Sequence, residues 1–428
     1  MIKIIIAEEV PSQNKGEVAI LEGIYESLKK LGEFNIKLFS FHPDFDKREY
    51  GNKAQIIDVL NCFHMSFINN ATSKLNKIFI FGFLTFQHFL FLFFYRLFGK
   101  RIALKIFKGN IWKEYLNVDL VIVGHDSLIT AISYLPFVVF FKSLKKSVMI
   151  FGGGVGREGS TLWVFLARHI LNKLDLITLR EQISYDYLRK IGINKVPMFV
   201  TADPGFLMKS LPIDQSYELL KKENISKEKP LIGITLSWMT TSKYCFPEIP
   251  KKEDKYKKYI EMMAQIIQQL SDELNVNIVL ISHVFGPEKD QDDRWIIEDI
   301  YNLLENKEPL RIITNEYKAA ELKGIIGNLD LLIGERLHSI IAAANLNIPF
   351  LAVTYPSPRM KGVLGMMNIE SIFNVKDLDY YIYLNKIKET WKKREEISSQ
   401  LSNNHENIKN RSLANATLIK KVIRGEAD

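Results

Sequence analysis

Short apolar runs alternate with helical stretches along almost the whole chain, and few folds accommodate that pattern. In the first half "IKIIIA", "NIKLFSF", "VDLVIVG", "SVMIFGGG", "DLITLR" and "PMFVTAD" read as strands, separated by residues of helical periodicity. A second series follows: "PLIGITLS", "NIVLISH", "LRIIT", "DLLIGE" and "PFLAVTY". Strands apolar on both faces and joined through helices form parallel sheets covered on both sides. At 428 residues the chain exceeds one ordinary core. The expectation is an α/β fold of two Rossmann-like domains facing a cleft. The first takes residues 1–207, a polar, lysine-rich linker 208–229, the second domain 230–384, and a charged helical tail 385–428.

Charge is unevenly placed. The net charge is +8, and between Val59 and Lys113 there are eight basic residues and no acidic one. The same stretch, 59–113, holds "IFIFGFLTFQHFLFLFFYRLF" and reads as a basic aromatic insertion in the first domain. Residues 78–98 can be an interfacial helix, a core helix or a membrane span. Gly82, Gln87 and His88 interrupt the run, and basic flanks on both sides give no positive-inside asymmetry. An aromatic helix with basic flanks suits an anionic bilayer surface. A membrane surface is therefore an expected partner. Nucleic acid is not, because phenylalanines this dense suit lipid or core better than bases. Cys62 and Cys245 have neither metal-ligand spacing nor a partner framework, which fits a reducing compartment and no metal site. "MIKIIIAEEV" enters a strand and turns acidic, unlike a signal peptide. Cytoplasm, at the inner membrane face, is the expected location.

Ligands of open parallel sheets gather beyond the carboxyl ends of strands, so the residues there deserve weight. "GERLHSIIAAANLN" places Arg336 and His338 between a buried strand and a helix of small residues, with Ser339 as a cap for that helix. An arginine in that position needs an anion, and the helix start favours one. "SQNKGEVAIL" joins the first strand to the first helix, with Gly16 making the turn and Asn14 and Glu17 near the helix start. The turn "FGGGVGREGS" brings the amides of Gly153 and Gly154 to a phosphate or sugar, although it lacks the Gly-Lys-Ser/Thr ending of a Walker loop. Arg180 ends "DLITLR", either as a site residue or as a surface charge beside Glu181, and Asp203 sits in "TADPGFL". His283 follows "NIVLIS" as either a site residue or a hydrogen-bonded core histidine. Asp292 and Asp293 read as solvated helix-start residues.

Taken together, the segments "NKGEVAILEGI", "DLITLREQISYDYLRKIGI" with "VTADPGFL", "LISHVFGPEKDQDD" and "GERLHSIIAAANLNIPFLAVTYPSPRMKGVLGMMNI" resemble the polysaccharide pyruvyl transferase family. Two departures stand out. Glu17 occupies a place where many members have aspartate, and "VGHDSLIT", with His125 and Asp126, replaces a glycine-rich turn. The resemblance implies a glycosyltransferase-B-like fold and phosphoenolpyruvate as donor. It further implies a cell-surface polysaccharide, or its lipid-linked precursor, as the acceptor that receives a pyruvate ketal. It assigns Arg180, Arg336 and His338 to the donor site. Two guanidiniums suit a carboxylate and a phosphate on one small frame. His338 would serve as acid or phosphate partner, and His283, Glu17 or Asp203 as base. No cofactor is expected beyond the donor substrate. The alternative is a nucleotide-sugar glycosyltransferase of the same fold, which needs a carboxylate for the ribose hydroxyls and a base-binding pocket; Glu335, next to Arg336, is open to being misread as that carboxylate.

Overall fold

The structure is a computed structural model that describes residues 1–65, 74–124, 135–155, 160–286, 291–356 and 358–424. His125 and Asp126, part of the "FGGGVGREGS" turn and residues 287–290 lie outside the described residues. The chain divides into two compact units. Unit 1 comprises Met1–Ser12, Ile20–Leu207 and Arg411–Asp428, and unit 2 comprises Gln13–Ala19 and Met208–Asn410.

In chain order the elements to Leu207 are β1 (Ile2–Glu9), α1 (Lys15–Leu28), β2 (Phe34–Ser40), α2 (Pro43–Tyr50), β3 (Gln55–Asp58), α3 (Val59–Cys62), α4 (Lys74–Ile106), α5 (Asn110–Asn117), β4 (Leu120–Ile122), α6 (Leu135–Ser143), β5 (Ser147–Gly153), α7 (Thr161–Leu171), β6 (Leu176–Leu179), α8 (Gln182–Lys190) and β7 (Met198–Val200). Among the described residues the strands form one parallel sheet of seven, ordered β3-β2-β1-β4-β5-β6-β7. Ile4, Ile5, Ile6 and Ala7 of β1 are all buried, as a strand with covered faces requires.

The aromatic segment is no appendage to this unit. Ile80, Leu84, Phe91, Leu92 and Ala103 of α4 belong to the same core as Val121, Val148 and Ile177 of the sheet. Phe91 stacks on Trp112 with ring centroids 4.6 Å apart. His88 sits among Phe137, Phe140 and Trp112. Its Nδ1 lies 2.6 Å from the Leu84 carbonyl, and its Nε2 lies 3.2 Å from the Tyr115 hydroxyl. A carbonyl only accepts, so Nδ1 carries the proton and Nε2 accepts from tyrosine. Burial pushes His88 down to about 4, which keeps that ring neutral. Among the described residues one helix, Ile78–Ile106, is long and apolar enough to cross a membrane by length and composition.

The later elements are α9 (Ile213–Lys222), β8 (Leu231–Thr235), α10 (Trp238–Thr241), α11 (Lys252–Leu274), β9 (Asn277–Ile281), α12 (Asp293–Leu303), β10 (Leu310–Ile313), α13 (Ala319–Ile326), β11 (Leu331–Gly334), α14 (Leu337–Asn345), β12 (Phe350–Thr354), α15 (Pro358–Met367), β13 (Ile372–Asn374), α16 (Tyr380–Lys392) and α17 (Arg394–Arg424). The described strands of unit 2 form a parallel sheet of six, β10-β9-β8-β11-β12-β13. Its order reverses between β8 and β11, and the crevice beyond such a reversal is where open sheets bind ligands.

Three boundaries differ from the sequence reading. Residues 208–229 are not a bare linker, because α9 buries Ser216 and Leu220 and packs on α13. Asn328 donates to the Ser216 hydroxyl at 2.8 Å, and the missing side chain of Gly324 makes room for Ser216. Two inward residues suffice to seat α9, so its composition stays polar. Gln13–Ala19 groups with unit 2, since Asn14 bridges Val284 and Phe285 donates to the Gln13 carbonyl at 3.0 Å. The tail is divided as well: α16 packs on α11 and β12, whereas Ser412 donates to the Asp203 carbonyl at 3.0 Å within unit 1.

Candidate active site

In unit 2 the carboxyl ends of β9 and β11 meet the segment around Asn14. Lys15 donates its backbone N–H to the His283 carbonyl at 3.2 Å, and Asn14 Oδ1 accepts from the Gly16 amide at 3.1 Å. These contacts pin the first turn of α1. The Lys15 side chain is buried, with its Nζ 3.1 Å from Glu316. Gly16 is needed for close approach rather than for a left-handed turn: a Cβ there would lie 2.5 Å from Nδ1 of His338. The imidazole of His338 therefore lies directly against the backbone of α1. Glu17 follows, half-buried, in the same helical turn.

Arg336 is the residue immediately before α14, just past the end of β11. Its Nη2 donates to Asp293 and, at 3.3 Å, to the Gln291 carbonyl. Its Nε has no hydrogen-bond partner among the described residues. Asp293 also accepts from the backbone amides of His283 and Val284, at 3.1 and 2.9 Å. Burial pushes the Asp293 carboxyl up, against the pull of Arg336 and the two amides. Three donors converge on it, the pattern that a carboxylate accepts. The solvated-residue reading of Asp293 is thus overturned. Asp292 does stand at the helix start, where it caps Arg294 N at 3.0 Å.

His283 is buried and held at about 3, first by burial and then by the positive charges of His338, Arg336 and Lys15. Each of those three basic side chains acts electrostatically on His283. His283 stays neutral, and so low a value makes it a poor proton acceptor. Ser339 is not the cap. It lies one turn into α14, fully buried, bonded to Thr235 Oγ1 and to the Arg336 carbonyl, each at 2.7 Å. Its hydroxyl fixes the turn that carries Arg336. Glu335 also faces inward, accepting from Tyr259, from Thr241 Oγ1 at 2.6 Å and from Ser237 N at 2.8 Å.

Arg180 and Asp203 belong to unit 1. Arg180 Nη1 donates to Asp203 at 2.7 Å, and both side chains are 0% exposed. Asp203 accepts from Gly205 N at 2.8 Å. Glu181 is buried too and caps α8 through Ser184 N at 2.6 Å, so the surface-charge reading of this pair fails. Gly153 and Gly154 are buried, and the Gly153 carbonyl accepts from Arg180 N at 3.0 Å. Around them Gly152 N is bonded to Thr178 Oγ1 and Val155 N to Ser184 Oγ, at 2.8 and 2.6 Å. That turn is tied into its own unit.

A family model for polysaccharide pyruvyl transferases matches residues 14–358. The chain belongs to the polysaccharide pyruvyl transferase family. The match begins at Asn14 and takes in Arg180, His283, Arg336 and His338. The chain is also 23% identical over 261 residues to the amylovoran biosynthesis protein AmsJ of Erwinia amylovora, a match covering 60% of this chain and 61% of that relative's length. Solved structures place this family member in a glycosyltransferase-B-like α/β fold of two Rossmann-like domains. A glycosyltransferase from Rickettsia africae ESF-5 aligns with TM-score 0.58 at 13% identity, covering 99% of this chain and 98% of that one. A putative UDP-N-acetylglucosamine 2-epimerase from Listeria monocytogenes aligns at 0.59 and 12%, covering 98% and 96%. At such identities the likeness concerns the fold alone.

Lys15 and Asp293 went unrecognised in the sequence. One signal was available for Lys15. A lysine at the first position of a helix opposes the helix dipole, so its place there needs another explanation.

Proposed function

We propose that this chain transfers pyruvate from phosphoenolpyruvate to a sugar of a cell-surface polysaccharide or its lipid-linked precursor, forming a ketal. Arg336 carries the reading. Its Nη2 is held by Asp293 while Nε has no partner among the described residues, so the group is oriented before an anion arrives. Lys15 and His338 act on the same buried His283 as Arg336 does, and helix starts favour anions. A doubly anionic donor matches this cluster better than a neutral one.

The chemistry then follows. A proton delivered to the donor's methylene carbon creates an oxocarbenium-like centre, and a sugar hydroxyl attacks it. The carbon–phosphate oxygen bond breaks, phosphate leaves, and a second hydroxyl of the same sugar closes the ketal. No step needs a metal or redox cofactor. His338 is the proposed acid, because its ring can carry a proton and is packed against the first turn of α1. Of the three candidate bases, His283 is held too acidic and Asp203 is committed to Arg180. Glu17, one residue beyond the Gly16 contact, is the proposed base. The reading places the reaction in the cytoplasm, at the inner membrane face when the acceptor is lipid-linked.

The glycosyltransferase alternative draws on a cavity of about 450 Å³ lined by Trp238, Tyr256 and Trp295, whose rings could stack on a base. Against it, Glu335 is spent on Tyr259, Thr241 and Ser237 and cannot take ribose hydroxyls.

Thermal melts separate the two readings. Phosphoenolpyruvate at about 100 times its Kd should add roughly 2.7 kcal/mol of stability. Arg336→Lys should shrink that gain, since lysine keeps the charge and loses the fork. A nucleotide sugar that raises the Tm while phosphoenolpyruvate does not would overturn the proposal. Gly16→Ala should keep the fold but displace His338, lowering phosphate release from donor and acceptor by about 10²-fold. Unchanged release would remove the contact from the mechanism.

A further inference from the structure

Helix α4 uses two faces in opposite ways. Ile80, Leu84, His88, Phe91 and Leu92, spaced at helical intervals, are buried in the core of unit 1. Leu75, Phe79, Phe86, Phe89, Phe93 and Leu97 recur at the same period on the other side and are exposed, Leu75 by 80% and Phe86 and Leu97 by 61%. Up to Gly99, where the backbone turns to φ 76°, the exposed stripe runs for about 33 Å at 1.5 Å per residue. Arg96 at its end and Lys100, Arg101, Lys105 and Lys108 beyond it are exposed, and Lys74 and Lys77 precede or flank its other end in the sequence. No carboxylate lies anywhere in 59–113.

We propose that this face docks the protein, in the plane of the bilayer, onto an anionic lipid surface. A contiguous apolar face of this size marks an interaction site. Charge selects the occupant. Pairing with a second copy of the stripe, parallel or antiparallel, would set cation against cation, because both flanks are basic. Anionic headgroups complement both flanks while the phenylalanines enter the acyl boundary. A membrane span is disfavoured by the buried face: withdrawing α4 would tear Phe91 from Trp112 and strand His88 without its Leu84 and Tyr115 partners. The docking surface stands whether or not the donor is phosphoenolpyruvate.

Sedimentation of the full chain with phosphatidylcholine vesicles, with and without phosphatidylglycerol, tests this. The protein should pellet with the phosphatidylglycerol vesicles. Raising salt from about 0.1 to 1 M, which shortens the Debye length from about 10 to 3 Å, should weaken binding without abolishing it. Combining Phe86→Ser, Phe89→Ser and Phe93→Ser should abolish pelleting and leave the circular dichroism melt unchanged, because all three are exposed. Should that variant misfold, Lys100→Gln with Arg101→Gln and Lys105→Gln decides, with affinity expected to fall on the order of 10²-fold. Wild-type affinity in the charge variant, or no pelleting of the intact protein, overturns the proposal. So does a dimer in light scattering that the Phe86, Phe89 and Phe93 changes dissociate. Retention in the pellet through alkaline carbonate extraction would overturn it in favour of a span.

Discussion

His338→Ala should lower turnover by a factor on the order of 10²–10⁴, the usual share of a positioned proton donor. The ring is packed directly against Gly16, so the proton it carries is held at a fixed place. His283, the neighbouring imidazole, is held neutral at about 3 and cannot supply the proton. Donor binding should survive better than turnover, because Lys15 and Arg336 keep their partners Glu316 and Asp293. The measurement is phosphate release at saturating phosphoenolpyruvate, alongside the donor-induced shift in Tm. Wild-type release with a normal fold would take His338 out of the chemistry. Loss of the Tm shift together with release would make it a binding residue instead.

Asp203→Ala should destabilise unit 1 by about 3–5 kcal/mol, because it removes one partner of an ion pair whose two side chains are both fully buried. A thermal or denaturant melt reads the loss. Replacing both partners, Arg180→Met with Asp203→Leu, should recover most of it, since a packed apolar pair avoids the desolvation of two ions. A single-variant loss below 1 kcal/mol would mean that the pair is solvated in practice. The double variant also decides the role of Arg180. If it folds and still gains stability from phosphoenolpyruvate, the arginine is structural. If the gain disappears, Arg180 belongs to the donor site, as the family resemblance implies.

Much of the fold was legible because strands with both faces covered are apolar where they are covered, as at Ile4–Ala7 of β1, Leu231–Ile234 of β8, Ile278–Ile281 of β9, Leu331–Gly334 of β11 and Phe350–Val353 of β12. β3 and β13 escaped notice. Each is short and keeps exposed or half-exposed residues, so neither stands out from its surroundings. Helix α9 was hidden for a related reason: two buried side chains, Ser216 and Leu220, seat it, and most of its other residues are polar.

The sequence by itself determined the fold class, the family and the strand-end positions of Arg336 and His338, because periodicity and local motifs are properties of neighbouring residues. Only the tertiary structure decided which partners those residues have. That Asp293 orients Arg336, that Gly16 serves contact with His338, and that Lys15 pairs with Glu316 depend on residues 43 or more than 300 positions apart. It also decided that Arg180, Ser339 and Glu335 face inward, since whether a polar side chain at a strand end meets solvent or core is fixed by what packs over it. For α4, composition could not say which phenylalanines face the core. Packing against Trp112 and Phe140 settled that, leaving the other face outside.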